Sequence, residues 1–186
     1  MNQLYSLPNL LTFSRIILIP FFVMFFYLPV PWGMTAATGV FIFAAFTDWL
    51  DGYLARRFDW RTRLGGLLDP AADKLLMFAS FVTMTWMGWV PVGFTAIVIG
   101  RDSVIIAGTI VYHFLVEPVH GEPTRASKLN TVLQILFILL TIAHAWLGWP
   151  PMIVVEALGA TILVTIAISI VQYVTTGFSR LRQAKQ

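Results

Sequence analysis

The 186-residue chain contains no cysteine, which excludes disulfides, thiolate metal sites and cysteine nucleophiles. Charge is almost as scarce. Only 11% of residues are charged while 58% are hydrophobic, a balance that a soluble domain of this length could not cover with polar surface. Charge is missing altogether from three short connections, LPVPWG (28–33), MGWVP (87–91) and LGWPP (147–151). The opening MNQLYSLPNLLTFSR has no basic segment ahead of an apolar core and no small-residue cleavage site, so it does not read as a signal peptide. Internal repeats, low-complexity tracts and a domain linker are also lacking, and one domain over 1–186 is expected.

What remains is long apolar sequence. A spanning helix needs roughly 20 apolar residues. Six stretches qualify, at 9–29, 33–56, 67–88, 91–115, 127–148 and 151–176, and they predict an all-α membrane protein built as a six-helix bundle. The basic residues fall on alternate connections: Arg56, Arg57, Arg61 and Arg63 after the second stretch, Arg125 and Lys128 after the fourth, and Arg180, Arg182 and Lys185 in the tail. By the positive-inside rule, both termini and the 57–66 and 116–126 loops are expected in the cytoplasm. Trp32, Trp89 and Trp149 would then lie in the opposite interface. Setting topology is by itself a sufficient reason for most of these basic side chains.

Against this background, DWLDGYLARRFDWRTRLGGLLDPAADK (48–74) stands out, because it holds five of the chain's six aspartates. Asp48 and Asp51 are three apart near the end of the second stretch, and Asp69 and Asp73 are four apart near the start of the third. Those spacings put each pair on one helical face, so two antiparallel helices can bring four carboxylates together. Unpaired, they would repel one another and take up protons. A pair of hard divalent cations such as Mg²⁺ or Mn²⁺ relieves that conflict and can clamp a phosphoryl group. Gly52 and Ala55 keep the same face open, and Arg56 offers a planar fork to a phosphate. Gly65 and Gly66 open the third stretch, where a helix N-terminus favours anions. A lone aspartate near a helix end is usually a cap or a solvated charge, and Asp59 reads that way. Four of them on two adjacent helix ends point to function.

The segment resembles the signature of the CDP-alcohol phosphotransferase family, D-x2-D-G-x2-A-R-x8-G-x3-D-x3-D. Asp48, Asp51, Gly52, Ala55, Arg56, Gly65, Asp69 and Asp73 fill every fixed position. The resemblance implies a six-helix membrane bundle, usually a homodimer with a cytoplasmic site, that displaces CMP from a CDP-linked lipid with an alcohol hydroxyl. It implies that Asp48, Asp51, Asp69 and Asp73 hold two divalent metal ions and that Asp73 also takes the proton of the attacking hydroxyl. It further implies that Asp51, Gly52, Ala55, Arg56, Thr62 and Gly65 surround the cytidine diphosphate. Nothing suggests a covalent nucleophile, so a single direct displacement is expected.

The acceptor has to be read elsewhere. Arg15, Arg101 and Lys128 are cations within or at the edge of apolar stretches, where they need a polar cavity or a partner. Arg101 can pair with Asp102 or Glu117; otherwise it belongs to an anion pocket with Arg15, Lys128 and Asn130. EPTRASKLNTVLQ (122–134) has Ser127-Lys128, Asn130-Thr131 and Gln134, and GRD stands at 100–102. This pattern is more similar to the CMP-forming cardiolipin synthases of the family than to its phosphatidylglycerophosphate synthases, which carry a second lysine where Asn130 stands. The expected substrates are therefore CDP-diacylglycerol and phosphatidylglycerol, with glycerol 3-phosphate as the alternative acceptor. The expected location is a bacterial inner membrane, with no nucleic-acid partner. A small ion transporter would also place acids and arginines in membrane helices, but it would spread them near mid-membrane instead of gathering them at one surface. The histidines, and Glu156 in the last stretch, are given no role.

Overall fold

A computed structural model describes the backbone of residues 7–58, 65–115 and 125–183, and the side chains of residues 14, 16–47, 50, 53, 74–107 and 127–172. Six helices make up the described chain: α1 (Leu7–Tyr27), α2 (Gly33–Phe58), α3 (Gly65–Trp86), α4 (Val92–Leu115), α5 (Arg125–Leu147) and α6 (Met152–Gln183). Each coincides with one of the six apolar stretches. Among the described residues, Ser127–Leu147 and Met152–Gln172 are helices long and apolar enough to cross a bilayer. Ile16–Tyr27, Gly33–Thr47 and Lys74–Trp86 are shorter apolar helices.

The helices fall into two compact units, Met1–Trp89 and Val90–Gln186. In the first, α1 packs against both α2 and α3. Its core is made of Phe22, Phe26, Phe41, Leu76, Met77, Phe81 and Met84, all buried. Phe22 meets Phe26 edge-on at 4.9 Å between ring centroids and lies tilted against Phe41 at 5.9 Å. Quadrupole-matched geometry of this kind adds to the gain from burial. The turn from α1 into α2 is tight. A Cβ at Gly33 would lie 2.8 Å from the Phe25 carbonyl oxygen and 3.1 Å from that of Leu28, so only glycine fits.

In the second unit α6 packs along α5 and also meets α4. Two pairings fix the α5–α6 register. Asn130 bonds Thr165, and Phe137 approaches Gly159, so the helices run antiparallel. Gly159 lets the backbone of α6 come close, since a Cβ there would lie 3.3 Å from the Phe137 ring and 3.5 Å from that of Phe94. Those two rings meet at a tilt with their centroids 5.0 Å apart. At the α5–α6 turn, His144 donates from Nδ1 to the Pro150 carbonyl oxygen at 2.7 Å.

The distribution of polarity is the reverse of a soluble protein's. Ile17, Phe43, Val92, Val104, Val132, Ile153, Val164 and Val171 are exposed, whereas Arg101, Asp102, Asn130, Gln134 and Ser169 are buried. Exposed apolar surface of this extent suits contact with lipid tails. The hydroxyls follow the same logic. Thr38, Ser80, Thr141 and Thr161 each donate to the carbonyl four residues earlier in their own helix, which satisfies them without water.

Candidate functional site

The four signature aspartates all lie on helices of the first unit. Asp48 and Asp51 are in the last three turns of α2, and Asp69 and Asp73 are in the first three turns of α3. Helical backbone at these positions is what the three- and four-residue spacings require to put each pair on one face. Gly52, Ala55 and Arg56 follow on α2, and Gly65 is the first residue of α3. The side chains of Arg15, Asp48, Asp51, Arg56, Asp69 and Asp73 lie outside the described residues, as does the whole of Thr62. As a donor set, four carboxylates with no sulfur or imidazole between them fit hard divalent cations. Asp48, Asp51, Asp69 and Asp73 are the residues that would hold such ions.

The second unit carries the remaining candidates, and their geometry is explicit. Arg101, ten residues into α4, is 6% exposed. Its Nη1 donates to Asp102 Oδ1 at 2.7 Å and its Nη2 donates to Ser169 Oγ on α6 at 2.6 Å. The pairing with Asp102 is thus formed. It offsets a charge whose burial would otherwise be costly. Among the described residues, Arg101 Nε has no partner. Asn130 is fully buried, and its Oδ1 accepts from Thr165 Oγ1 at 2.9 Å while its Nδ2 has no partner among the described residues. Lys128, two residues earlier, is exposed.

Sequence reasoning gave Gln134 no place in the site, yet it is fully buried and, among the described residues, neither Oε1 nor Nε2 has a partner. It lies one turn beyond Asn130 on the same face of α5. Two amides four residues apart in an otherwise apolar helix were the available signal. Ser169 and Thr165 carried none, because their roles depend on the pairing of helices. Glu156, one turn into α6, is exposed, and nothing in the structure explains it.

Three relatives match the chain over most of its length. The chain is 38% identical, over 92% of its length and 94% of theirs, to proteins of Shigella flexneri serotype 5b (strain 8401), Escherichia coli (strain K12) and Escherichia coli O157:H7. Each is named CDP-diacylglycerol–glycerol-3-phosphate 3-phosphatidyltransferase. This overturns the expectation of a cardiolipin synthase with phosphatidylglycerol as acceptor. That expectation took the neutral side chain of Asn130 as a measure of the acceptor's charge. Asn130 is instead sealed inside the helix bundle against Thr165. An uncharged amide is what such a position favours, whatever the acceptor, because a buried lysine there would need a counter-charge. The profile of CDP-alcohol phosphatidyltransferases matches residues 5–175, which take in all four aspartates, Arg101 and the α5 amides. The chain therefore belongs to the CDP-alcohol phosphatidyltransferase family and is an enzyme of that kind.

Proposed function

We propose that this enzyme transfers a phosphatidyl group from CDP-diacylglycerol to the primary hydroxyl of glycerol 3-phosphate, releasing CMP. The observation that carries this reading is 38% identity, over nearly the full length of both chains, to bacterial enzymes named for that reaction. The charges of the second unit support it. Glycerol 3-phosphate carries a phosphate monoester close to dianionic, which rewards an exposed cationic donor such as Lys128.

In this reading Asp48, Asp51, Asp69 and Asp73 hold two divalent ions, Mg²⁺ or Mn²⁺. When bound, such ions neutralise the pyrophosphate and the departing CMP. Asp73 accepts the proton of the acceptor hydroxyl as its oxygen bonds to the phosphatidyl phosphorus and the bond to the CMP oxygen breaks. Asp51, Gly52, Ala55, Arg56, Thr62 and Gly65 surround the cytidine diphosphate. Arg56 suits a phosphate because its planar fork can donate twice. The whole chain acts as a single phosphotransferase domain, since the family match runs through both compact units. It spans the bilayer six times as a homodimer in a bacterial inner membrane, with both termini and the site facing the cytoplasm. The alternation of basic and uncharged connections supports this orientation.

The test is an assay of purified protein in detergent with CDP-diacylglycerol and Mg²⁺ or Mn²⁺. CMP should appear when glycerol 3-phosphate is added. Absence of CMP release with that acceptor would refute the assignment.

A further inference from the structure

Helix α6 is longer than a bilayer requires. Met152–Gln172 already supplies the 21 residues of an apolar span, yet the helix continues without a break to Gln183. Residues 173–183 add about 16 Å of helix rise. A bilayer's headgroup layer is only roughly 5–7 Å thick on each face, so the extension passes through it.

The span fixes the register of this extension. Five turns of α-helix take about 18 residues, so positions that far apart lie in line. Leu181 is in line with Leu163 and Arg182 with Val164, which are 37% and 59% exposed on the side of α6 turned away from its partners. Val174 and Phe178 precede Leu181 by seven and three residues and fall on that same side. Arg180 is in line with Ile162, which is fully buried. The two arginines therefore occupy opposite sides of the helix. No acidic residue follows Glu156 in the chain, whereas Arg180, Arg182 and Lys185 do.

An apolar stripe carried past the end of a span, with a guanidinium on the same side, is complementary to the surface of a leaflet. Apolar side chains rest at the boundary of the acyl region, and the planar fork of an arginine suits a lipid phosphate. The stripe prolongs the face already suited to lipid tails, so lipid is the surface it reaches first.

We infer that the last three turns of α6 form an arm for anionic phospholipid, in which Phe178 and Leu181 rest against the leaflet and Arg182 holds a headgroup phosphate, while Arg180 takes no part. The arm lies wholly within the second unit and is independent of the alcohol the enzyme uses. Topology alone would make the two arginines equivalent, because the positive-inside rule counts charges without regard to their side of a helix.

The experiment exploits the absence of cysteine: Ser179→Cys in the full-length protein provides a single thiol for a nitroxide label. Ser179 is in line with Thr161, an exposed residue. The labelled protein is reconstituted in phosphatidylcholine vesicles with or without about 30% phosphatidylserine. The ratio of restricted to mobile label should rise at least about fivefold with phosphatidylserine and fall back in about 0.5 M NaCl. Arg182→Gln should lower the ratio about fivefold, the loss expected from one surface cation, and Arg180→Gln should change it by less than about twofold. Arg182→Lys keeps the charge and should retain most of the effect, which separates a lost contact from misfolding. A ratio indifferent to phosphatidylserine overturns the inference, and so do equal losses from the two arginines. A ratio that follows the protein-to-lipid proportion instead of lipid charge would assign the stripe to a second copy of the chain and also overturns it.

Discussion

Thr165 on α6 donates its hydroxyl to Asn130 Oδ1 on α5 across 2.9 Å, joining two apolar helices through a bond between side chains 35 residues apart. Thr165 Oγ1 also lies 2.8 Å from the Ile162 carbonyl oxygen of its own helix, so the hydroxyl sits where it can serve either partner. Thr165→Val keeps the shape and removes the donor. The expected cost is about 1 kcal/mol, as for interhelical side-chain bonds in other membrane bundles. Thermal unfolding in detergent should show a melting temperature lower by roughly 2–4 °C. A variant that melts with the wild type would show that this bond contributes nothing to stability.

The Arg101–Asp102 pair makes a sharper prediction. Its side chains are 3% and 10% exposed and are held at 2.7 Å. Asp102→Ala strands a buried guanidinium and should destabilise by about 3–5 kcal/mol. Arg101→Leu combined with Asp102→Leu removes both charges and should be considerably less harmful than Asp102→Ala alone. Measuring the three proteins side by side checks this order, which would be reversed if the pair were an ordinary solvated contact.

Gly159 tests the packing of the second unit. Gly159→Ala brings a methyl to 3.3 Å from Phe137, a squeeze that better helix propensity offsets, so stability should stay close to wild type. Gly159→Leu cannot be accommodated beside Phe94 and Phe137 and should cost about 1–3 kcal/mol. Denaturation of both variants distinguishes a close approach from an open groove.

The reaction chemistry is tested at Asp73 and Lys128. Asp73→Asn removes the proposed base and should lower kcat by roughly 10²- to 10⁴-fold, as seen when general bases are lost. Chelation of divalent ions should abolish CMP release in the wild type, and added Mg²⁺ or Mn²⁺ should restore it. Lys128→Ala should raise the KM for glycerol 3-phosphate about tenfold, with a smaller change for CDP-diacylglycerol. Equal effects on both substrates would remove Lys128 from the acceptor side.

Much of the architecture was legible because bilayer physics writes itself into composition. The six helices follow the six apolar stretches to within a few residues at most boundaries, and α6 runs on to Gln183 where 176 was expected. The helical backbone at Asp48, Asp51, Asp69 and Asp73 was legible in the same way, and helical spacing groups each pair on one face. Acceptor identity was misread for a specific reason. Asn130 was weighed for its charge, and the side chain it contacts, Thr165, lies 35 residues away on another helix. Gln134 was read only as a letter of the 122–134 pattern, and its burial was hidden on the same grounds. An amide's hydrogen bonds, or the lack of them, depend on neighbours that only tertiary packing supplies.

The contacts at Ser169 and Thr165 have a mechanical consequence. Because both residues project from one side of α6 at an interval of one helical turn, sliding that helix along its axis would break the Arg101 and Asn130 bonds at the same time. Piston motion of α6 therefore has to break two side-chain bonds at once. A tilt or a rotation about those two pins would leave both bonds in place and so cost less.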